Sequence, residues 1–204
     1  MEIKQNTILW DFDGVLIDSN QVRTDAFKHI FKEFSPYKVD QIINFHLENG
    51  GLSRYYKINY FFKEIERSEI DDISFKKYLS EFKAYVVKEI TTNNLLIEET
   101  INFIKKNLKS NIIISASDQE ELRFLCNHLN ISHLFKGIYG SPKAKKDNIN
   151  SVLKDFNISK LDVVYIGDSI NDYDAATENQ ISFLGYNNEY FKEISIDLIK
   201  NFKI

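Results

Sequence analysis

Cysteine, proline and glycine are all scarce: one Cys, two Pro and seven Gly in 204 residues. A single thiol, Cys126, cannot close an intrachain disulfide, and no Cys/His set has the spacing of a structural zinc site, so a reducing compartment is expected. No run approaches the ~20 apolar residues of a membrane span. The opening Met1-Glu2-Ile3-Lys4-Gln5-Asn6 lacks the basic-then-apolar pattern of a secretory leader. A cytoplasmic protein with no membrane partner is the expectation. Positive charge is in deficit, 26 Lys+Arg against 30 Asp+Glu for a net charge of −4. That argues against a nucleic-acid partner, whose phosphates call for a basic surface. What is plentiful is core material, with 43% hydrophobic and 14% aromatic residues. The chain is therefore expected to fold on its own, as one domain or as one domain carrying a sizeable insertion.

Five short apolar runs, each ending in a polar or glycine-containing turn, read as buried strands: residues 7–11, 111–115, 137–139, 162–166 and 181–184. From the second onward they alternate with helical patterns. Ile97, Ile101, Ile104 and Leu108 share one face, as do Leu122, Leu125 and Leu129, and then Ile149, Val152, Leu153 and Phe156. Alternation of this kind predicts an α/β fold, a Rossmann-like parallel sheet of five strands with helices on both faces. Residues 19–94 break the pattern. They carry helical periodicity without a convincing strand, in stripes such as Phe27, Ile30, Phe31 and Phe34 or Val86, Val87 and Ile90, with breaks at Ser35-Pro36 and Gly50-Gly51. The division expected is a core of residues 1–18 and 95–204 and an inserted all-helical domain of residues 19–94. Residues 189–204 read as a closing helix.

Chemistry concentrates at the strand ends. Trp10-Asp11-Phe12-Asp13-Gly14 puts two carboxylates where the first strand stops. In an open parallel sheet, that edge is where ligands bind. Asp is a poor strand former, and two acids at the tip of a buried strand are costly unless a cation or hydrogen bonds compensate. Gly167-Asp168-Ser169-Ile170-Asn171-Asp172 repeats the arrangement after the fourth strand, with Asp168 and Asp172 able to face one point. If the first and fourth strands are neighbours, Asp11, Asp13 and Asp168 converge, and three such carboxylates repel unless a hard divalent cation sits among them. Oxygen donors with open water positions suit Mg²⁺. At the second strand's end, Ser117 and Glu120 are spaced as a capping box, which leaves the Ser115 hydroxyl free for an oxyanion. One of Lys143, Lys145 and Lys146 is expected to point inward, and Lys145 is favoured by its place at a helix start ahead of buried Ile149.

Taken together these segments resemble the haloacid dehalogenase superfamily of phosphohydrolases. Asp11-Phe12-Asp13-Gly14-Val15-Leu16 is similar to its first motif, Ser115 to its second, a lysine of 143–146 to its third, and Gly167-Asp168-Ser169-Ile170-Asn171-Asp172 to its fourth, in the right order, with the helical insertion where the family's cap lies. The resemblance implies Asp11 as nucleophile forming an aspartyl-phosphate, and Asp13 as the acid and then base. It implies Mg²⁺ held by Asp11, Asp13 through its carbonyl, and Asp168, with Asp172 in support. Ser115, Ala116 and Lys145 would hold the phosphoryl oxygens. Asp13 favours cleavage of a P–O ester over dehalogenation, which points to a phosphatase acting on a small phosphate ester such as a sugar phosphate. A phosphomutase of the β-phosphoglucomutase type is the alternative, with a non-catalytic phosphometabolite-binding protein behind it.

Gly50-Gly51-Leu52-Ser53-Arg54 is similar to that mutase branch's substrate loop, implying substrate-binding roles for Gly51 and Arg54; a helix stop and a solvated first-turn arginine are the plain reading beside it. Lys57 shares the face of Arg54 one turn on. Where the mutase branch carries a histidine after the nucleophile, this chain has Arg23, which favours hydrolysis. His29, His46, His128 and His133 form no ligand set, although His46 stands close to the Gly50-Gly51 loop, and Cys126 reads as a small core residue. A monomer is expected, with a dimer as the alternative.

Overall fold

The computed structural model describes residues 3–202. Its centre is a six-stranded sheet, parallel throughout, made of β1 (Thr7–Trp10), β2 (Ser110–Asp118), β3 (Gly137–Ser141), β4 (Val163–Gly167), β5 (Ser182–Tyr186) and β6 (Leu198–Ile199), in the order β3-β2-β1-β4-β5-β6. β1 is thus flanked by β2 and β4, as convergence of the acidic strand ends requires. Register makes the tips level: Trp10 pairs with Ile113 on one side and Ile166 on the other, and the Asp11 amide donates to the Ile166 carbonyl at 2.9 Å.

β1 is buried on both faces, which is why its sequence is an unbroken apolar run. Side chains alternate between two cores. Ile8, Trp10, Ile113 and Ile166 face α5 (Glu98–Lys106) and α6 (Gln119–His128) through Ile101, Ile104, Leu122 and Leu125. Leu9, Ile112, Ile114 and Tyr165 face α7 (Lys145–Asp155) and α8 (Ile170–Glu178) through Ile149, Val152, Ala175 and Ala176. Cys126 belongs to the first of these cores, where burial pushes its thiol up to about 12.

Between Asn20 and Thr92 the described residues hold helices alone: α1 (Asn20–Ile30), α2 (Pro36–Glu48), α3 (Arg54–Tyr60), a π-helical continuation (Phe61–Glu66) and α4 (Asp72–Thr92). Pro36 opens α2, where its missing amide is harmless, and the Gly50-Gly51 stretch separates α2 from α3. The stripe read from the sequence is the centre of this bundle: Phe31 stacks on Phe61 at 4.0 Å and Phe27 meets Phe82 at 4.7 Å. Each ring buried this way contributes about 1.5–3 kcal/mol. The chain leaves and re-enters the sheet layer through paired segments, with Asp18 N–H bonded to the Leu95 carbonyl at 2.8 Å and Ile97 N–H to the Leu16 carbonyl at 2.9 Å.

Two expectations need correction. The sheet has six strands, since the expected closing helix over residues 189–204 reduces to α9 (Tyr190–Glu193), followed by β6. Ser195 in the left-handed region ends the helical turn, and the Asp197 carbonyl accepts from Gly185 N–H, extending the edge of β5. Lys203 and Ile204 of that expected helix lie outside the described residues. Leu108 also falls beyond the end of α5 and is fully exposed, because Asn107 already leaves the helix in an extended conformation. No helix among the described residues is long and apolar enough to cross a membrane.

Candidate active site

Asp11 is the first residue past β1, buried at the floor of a cavity of about 630 Å³ that opens between the sheet's carboxyl edge and the helices of residues 20–92. Its Oδ2 lies 3.0 Å from Lys145 Nζ, whereas Oδ1 is buried without a hydrogen-bond partner among the described residues. Asp168, two residues beyond Ile166, joins it. The Asp168 Oδ2 accepts from Asn20 Nδ2 at 2.8 Å and its carbonyl from Asn188 Nδ2 at 2.7 Å. Asp11, Asp168 and Asp172 each offer an oxygen within 4.8 Å of the others'. Burial, and then the charge of Asp172, push the Asp11 carboxyl well up and that of Asp168 to about 7, with Lys145 pulling both back.

Asp172 is also fully buried, but its oxygens are taken. Oδ1 accepts from Lys145 Nζ and from Tyr165 Oη at 2.8 Å, and Oδ2 from the Ser169 amide at 3.1 Å and hydroxyl at 2.6 Å. Ser169 and Asp172 form the capping box of α8, so the acid is fixed by the helix start itself. It stands behind the cavity and anchors Lys145. Of the three candidate lysines only Lys145, at the first position of α7, reaches the acids; Lys143 bonds to Ser151 and Lys146 pairs with Glu178 at 3.0 Å, both exposed. Burial disfavours the Lys145 ammonium, but Asp11 and Asp172 outweigh it and hold it charged above its ordinary range.

Asp13 turns its side chain away from that group. Oδ1 accepts from Ser19 Oγ and from Arg23 Nε at 2.9 Å, and Oδ2 from Ser117 Oγ at 2.7 Å. Burial alone would raise its pKa, yet the Arg23 charge and these hydrogen bonds bring it below the usual carboxylate range. Ser117 was expected to cap α6. That cap is instead Asp118, whose Oδ1 accepts from the Glu121 amide at 3.0 Å, so the motif lies one residue further on and the Ser117 hydroxyl is free for Asp13. Ser115 is buried at the cavity wall, its Oγ accepting from Ser117 N–H at 3.1 Å, and Ala116 lies beside it. Gly14, at φ 75°, follows Asp13 where any Cβ would overlap the Asp168 carboxylate.

On the helical side, Arg54 is buried, not solvated. Its Nη2 lies 2.7 Å from Glu121 Oε2 and its guanidinium 5.0 Å above the Phe82 ring. Lys57 Nζ donates to His46 Nδ1 at 2.8 Å and to the Gly50 carbonyl at 3.2 Å. Burial, with the Lys145 charge next, lowers Lys57 to about 7, and burial with Lys57 lowers His46 to about 3, so His46 is neutral. Gly51 faces away from this cavity, donating its amide to Asn171 Oδ1 at 3.1 Å beside a neighbouring cleft that Ala116 and Lys145 also border. His29, His128 and His133 are exposed and belong to no candidate metal-ligand set among the described residues.

Several residues here carried no readable signal. Glu121 reads as an ordinary first-turn acid, but it is fully buried and binds two arginines, Arg23 Nη1 at 2.6 Å and Arg54 Nη2. Tyr165 reads as strand core, and only its hydroxyl shows the second role. Asn20 is indistinguishable from a helix-start residue.

The donor set at the sheet edge fits a hard divalent cation: oxygen ligands only, two carboxylates raised by burial and by the charge of Asp172, and one buried oxygen on Asp11 lacking a partner among the described residues.

Residues 8–186 match the family described as haloacid dehalogenase-like hydrolase. No curated protein matches the chain. Among solved structures, a haloacid dehalogenase-like family hydrolase from Streptococcus pneumoniae aligns with a TM-score of 0.70 at 22% identity, over 96% of this chain and 93% of that one. The β-phosphoglucomutase of Clostridium difficile aligns at 0.76 and 17%, over 97% and 91%. CbbY from Rhodobacter sphaeroides, in complex with xylulose-(1,5)bisphosphate, aligns at 0.76 and 13%, over 97% and 94%. At these identities the likeness concerns the fold.

Proposed function

This chain belongs to the haloacid dehalogenase-like hydrolase family, and from that premise we propose that it is a Mg²⁺-dependent phosphatase acting on a small phosphomonoester such as a sugar phosphate. The observation that carries the reading is Asp11: a buried carboxylate at the cavity floor with one oxygen held by Lys145 and the other unpartnered. A nucleophile needs that asymmetry, one atom fixed and one free to bond. In the proposed division of labour, residues 19–94 form a cap over a core of residues 1–18 and 95–204.

Asp11 and Asp168, with the Asp13 carbonyl, would hold the Mg²⁺ ion, which when bound supplies neutralising charge between two anions. Asp11 forms a bond to phosphorus as the ester P–O bond breaks, giving an aspartyl-phosphate and an alkoxide that takes a proton from Asp13. Water then attacks phosphorus, giving its proton back to Asp13, and the acyl-phosphate P–O bond breaks to release phosphate and restore Asp11. Lys145 and Ser115 bind the equatorial oxygens, and Asp172 keeps Lys145 in place. With Arg23 at 2.9 Å, Asp13 rests as the base, so the first step carries the cost of protonating it.

The experiment is phosphate release from p-nitrophenyl phosphate and a set of sugar phosphates with Mg²⁺. The parent should turn over, EDTA should stop it, and Asp11→Asn should lose at least about 10³-fold. Full activity in Asp11→Asn removes the nucleophile assignment. Return of the phosphoryl group to the sugar in place of free phosphate makes the enzyme a mutase.

A further inference from the structure

Glu121 lies behind the cavity wall formed by Arg23 and Arg54. It is fully buried in the first turn of α6, and each of its carboxylate oxygens meets a different helix of the insertion: Oε1 accepts from Arg23 Nη1 on α1 at 2.6 Å, and Oε2 lies 2.7 Å from Arg54 Nη2 on α3. Arg23 turns its Nε to Asp13. The wall therefore holds two guanidinium charges matched by two carboxylates. Lys57 adds only a partial charge, since its ammonium is pushed down to about 7, and His46 is neutral.

The same wall holds unsatisfied N–H groups. Arg23 Nη2 and both Arg54 Nη nitrogens are buried with no hydrogen-bond partner among the described residues, as is Glu121 Oε2, whose approach to Arg54 Nη2 is an ion pair without hydrogen-bond geometry, and both arginines line the cavity. A buried N–H without an acceptor is costly, so a ligand that supplies one oxygen to each is favoured. A second phosphate would bring two negative charges against arginines whose own charge is already spent on Glu121 and Asp13, and its desolvation would go uncompensated. Hydroxyl oxygens satisfy the free N–H groups without that cost.

We propose that Glu121 is a specificity-determining residue that tunes this subsite for the uncharged, hydroxyl-bearing part of a sugar monophosphate and against a second phosphate group. The proposal rests on the phosphatase reading above. It acts through Arg23 and Arg54, so its signature is a change in preference between substrates beyond any change in rate common to them.

The test compares matched pairs, glucose 6-phosphate with glucose 1,6-bisphosphate and fructose 6-phosphate with fructose 1,6-bisphosphate, by kcat/KM for phosphate release. The parent should favour the monophosphates by at least tenfold. Glu121→Gln, which leaves one of the two guanidinium charges unmatched, should shift that ratio at least tenfold toward the bisphosphates through KM. Arg54→Gln should shift it the other way, and serves if Glu121→Gln does not fold. A parent that prefers bisphosphates, or variants whose ratios stay within twofold of the parent, overturns the proposal; a purely structural defect would lower both members of a pair alike. Thermal-shift titration of the intact parent with the same four compounds gives the preference without turnover. Absence of phosphate release from every ester, p-nitrophenyl phosphate included, overturns the phosphatase reading alone, while the binding preference still decides the subsite.

Discussion

Lys145 Nζ stands 3.0 Å from Asp11 Oδ2 and donates at the same time to Asp172 Oδ1, so one buried ammonium serves two buried carboxylates. Removing one partner of such a group strands the others, at a cost of about 3–5 kcal/mol. Lys145→Met is expected to melt well below the parent in cation-free buffer and to lose about 10²–10³-fold in kcat. A variant matching the parent in both would remove Lys145 from the site. Lys143→Met and Lys146→Met, at exposed positions, should leave both quantities within twofold or a degree or two.

Divalent cation should act as a pH-dependent stabiliser. The Asp168 carboxyl is raised to about 7, above its ordinary 3.8, so the folded protein holds a proton there that the unfolded chain has lost. The stability this contributes is complete below about pH 4 and is lost as pH rises through about 7. Bound Mg²⁺ replaces the missing proton. Melting temperature should therefore rise with millimolar MgCl₂ more at pH 8 than at pH 5, and Asp168→Asn should abolish the difference. An equal shift at both pH values would argue for a cation bound elsewhere.

Lys57 gives a dependence of the opposite sign in a higher window. Its folded pKa, about 7, lies below the ordinary 10.5, so above pH 7 the unfolded chain binds more protons. The penalty is complete below pH 7 and is relieved as pH rises toward 10.5, which means stability climbs with pH from this group. Comparing the melting temperatures of parent and Lys57→Met between pH 7.5 and 9.5 isolates it. The parent's curve should rise relative to the variant's, and parallel curves would refute the buried-charge account.

Two glycines should answer oppositely to the same substitution. A Cβ on Gly14 would overlap the Asp168 carboxylate at φ 75°, whereas one on Gly50 meets only Ser169 Cβ at 3.6 Å, an ordinary contact. Gly14→Ala is expected to cost more than about 1 kcal/mol of stability and most of the activity, and Gly50→Ala little of either. Chemical denaturation of the pair checks this, and equal losses would contradict it.

The strand ends were legible because an apolar run that stops at an acid is rare and physically costly; Asp11, Asp13 and Asp168 stood out on those grounds. Their convergence was only conditional, since strand order is not local, and the pairing of β1 with both β2 and β4 supplied it. Spacing favoured Lys145, four residues ahead of buried Ile149, but did not exclude Lys143 and Lys146, because all three lie around one helix start and differ only in which direction burial lies. The cap expected of Ser117, with Glu120 as its partner, falls one residue further on, at Asp118 and the Glu121 amide, and that shift in the start of α6 frees the Ser117 hydroxyl for Asp13. β6 has two residues, too few for any alternation to show.

The paired segments at Leu16–Asp18 and Leu95–Ile97 bear on the protein's history as much as on its shape. A helical stretch that leaves and returns through hydrogen-bonded neighbours can be lengthened, exchanged for another or deleted with its ends rejoined, and the sheet keeps every one of its ladders. The buried carboxylates and the lysine ride on the sheet and its helices, and the arginine pair proposed to select among substrates rides on the removable part. Chemistry and choice of substrate are thus free to diverge separately, with Glu121 the point at which a core residue must keep pace with a changing lid.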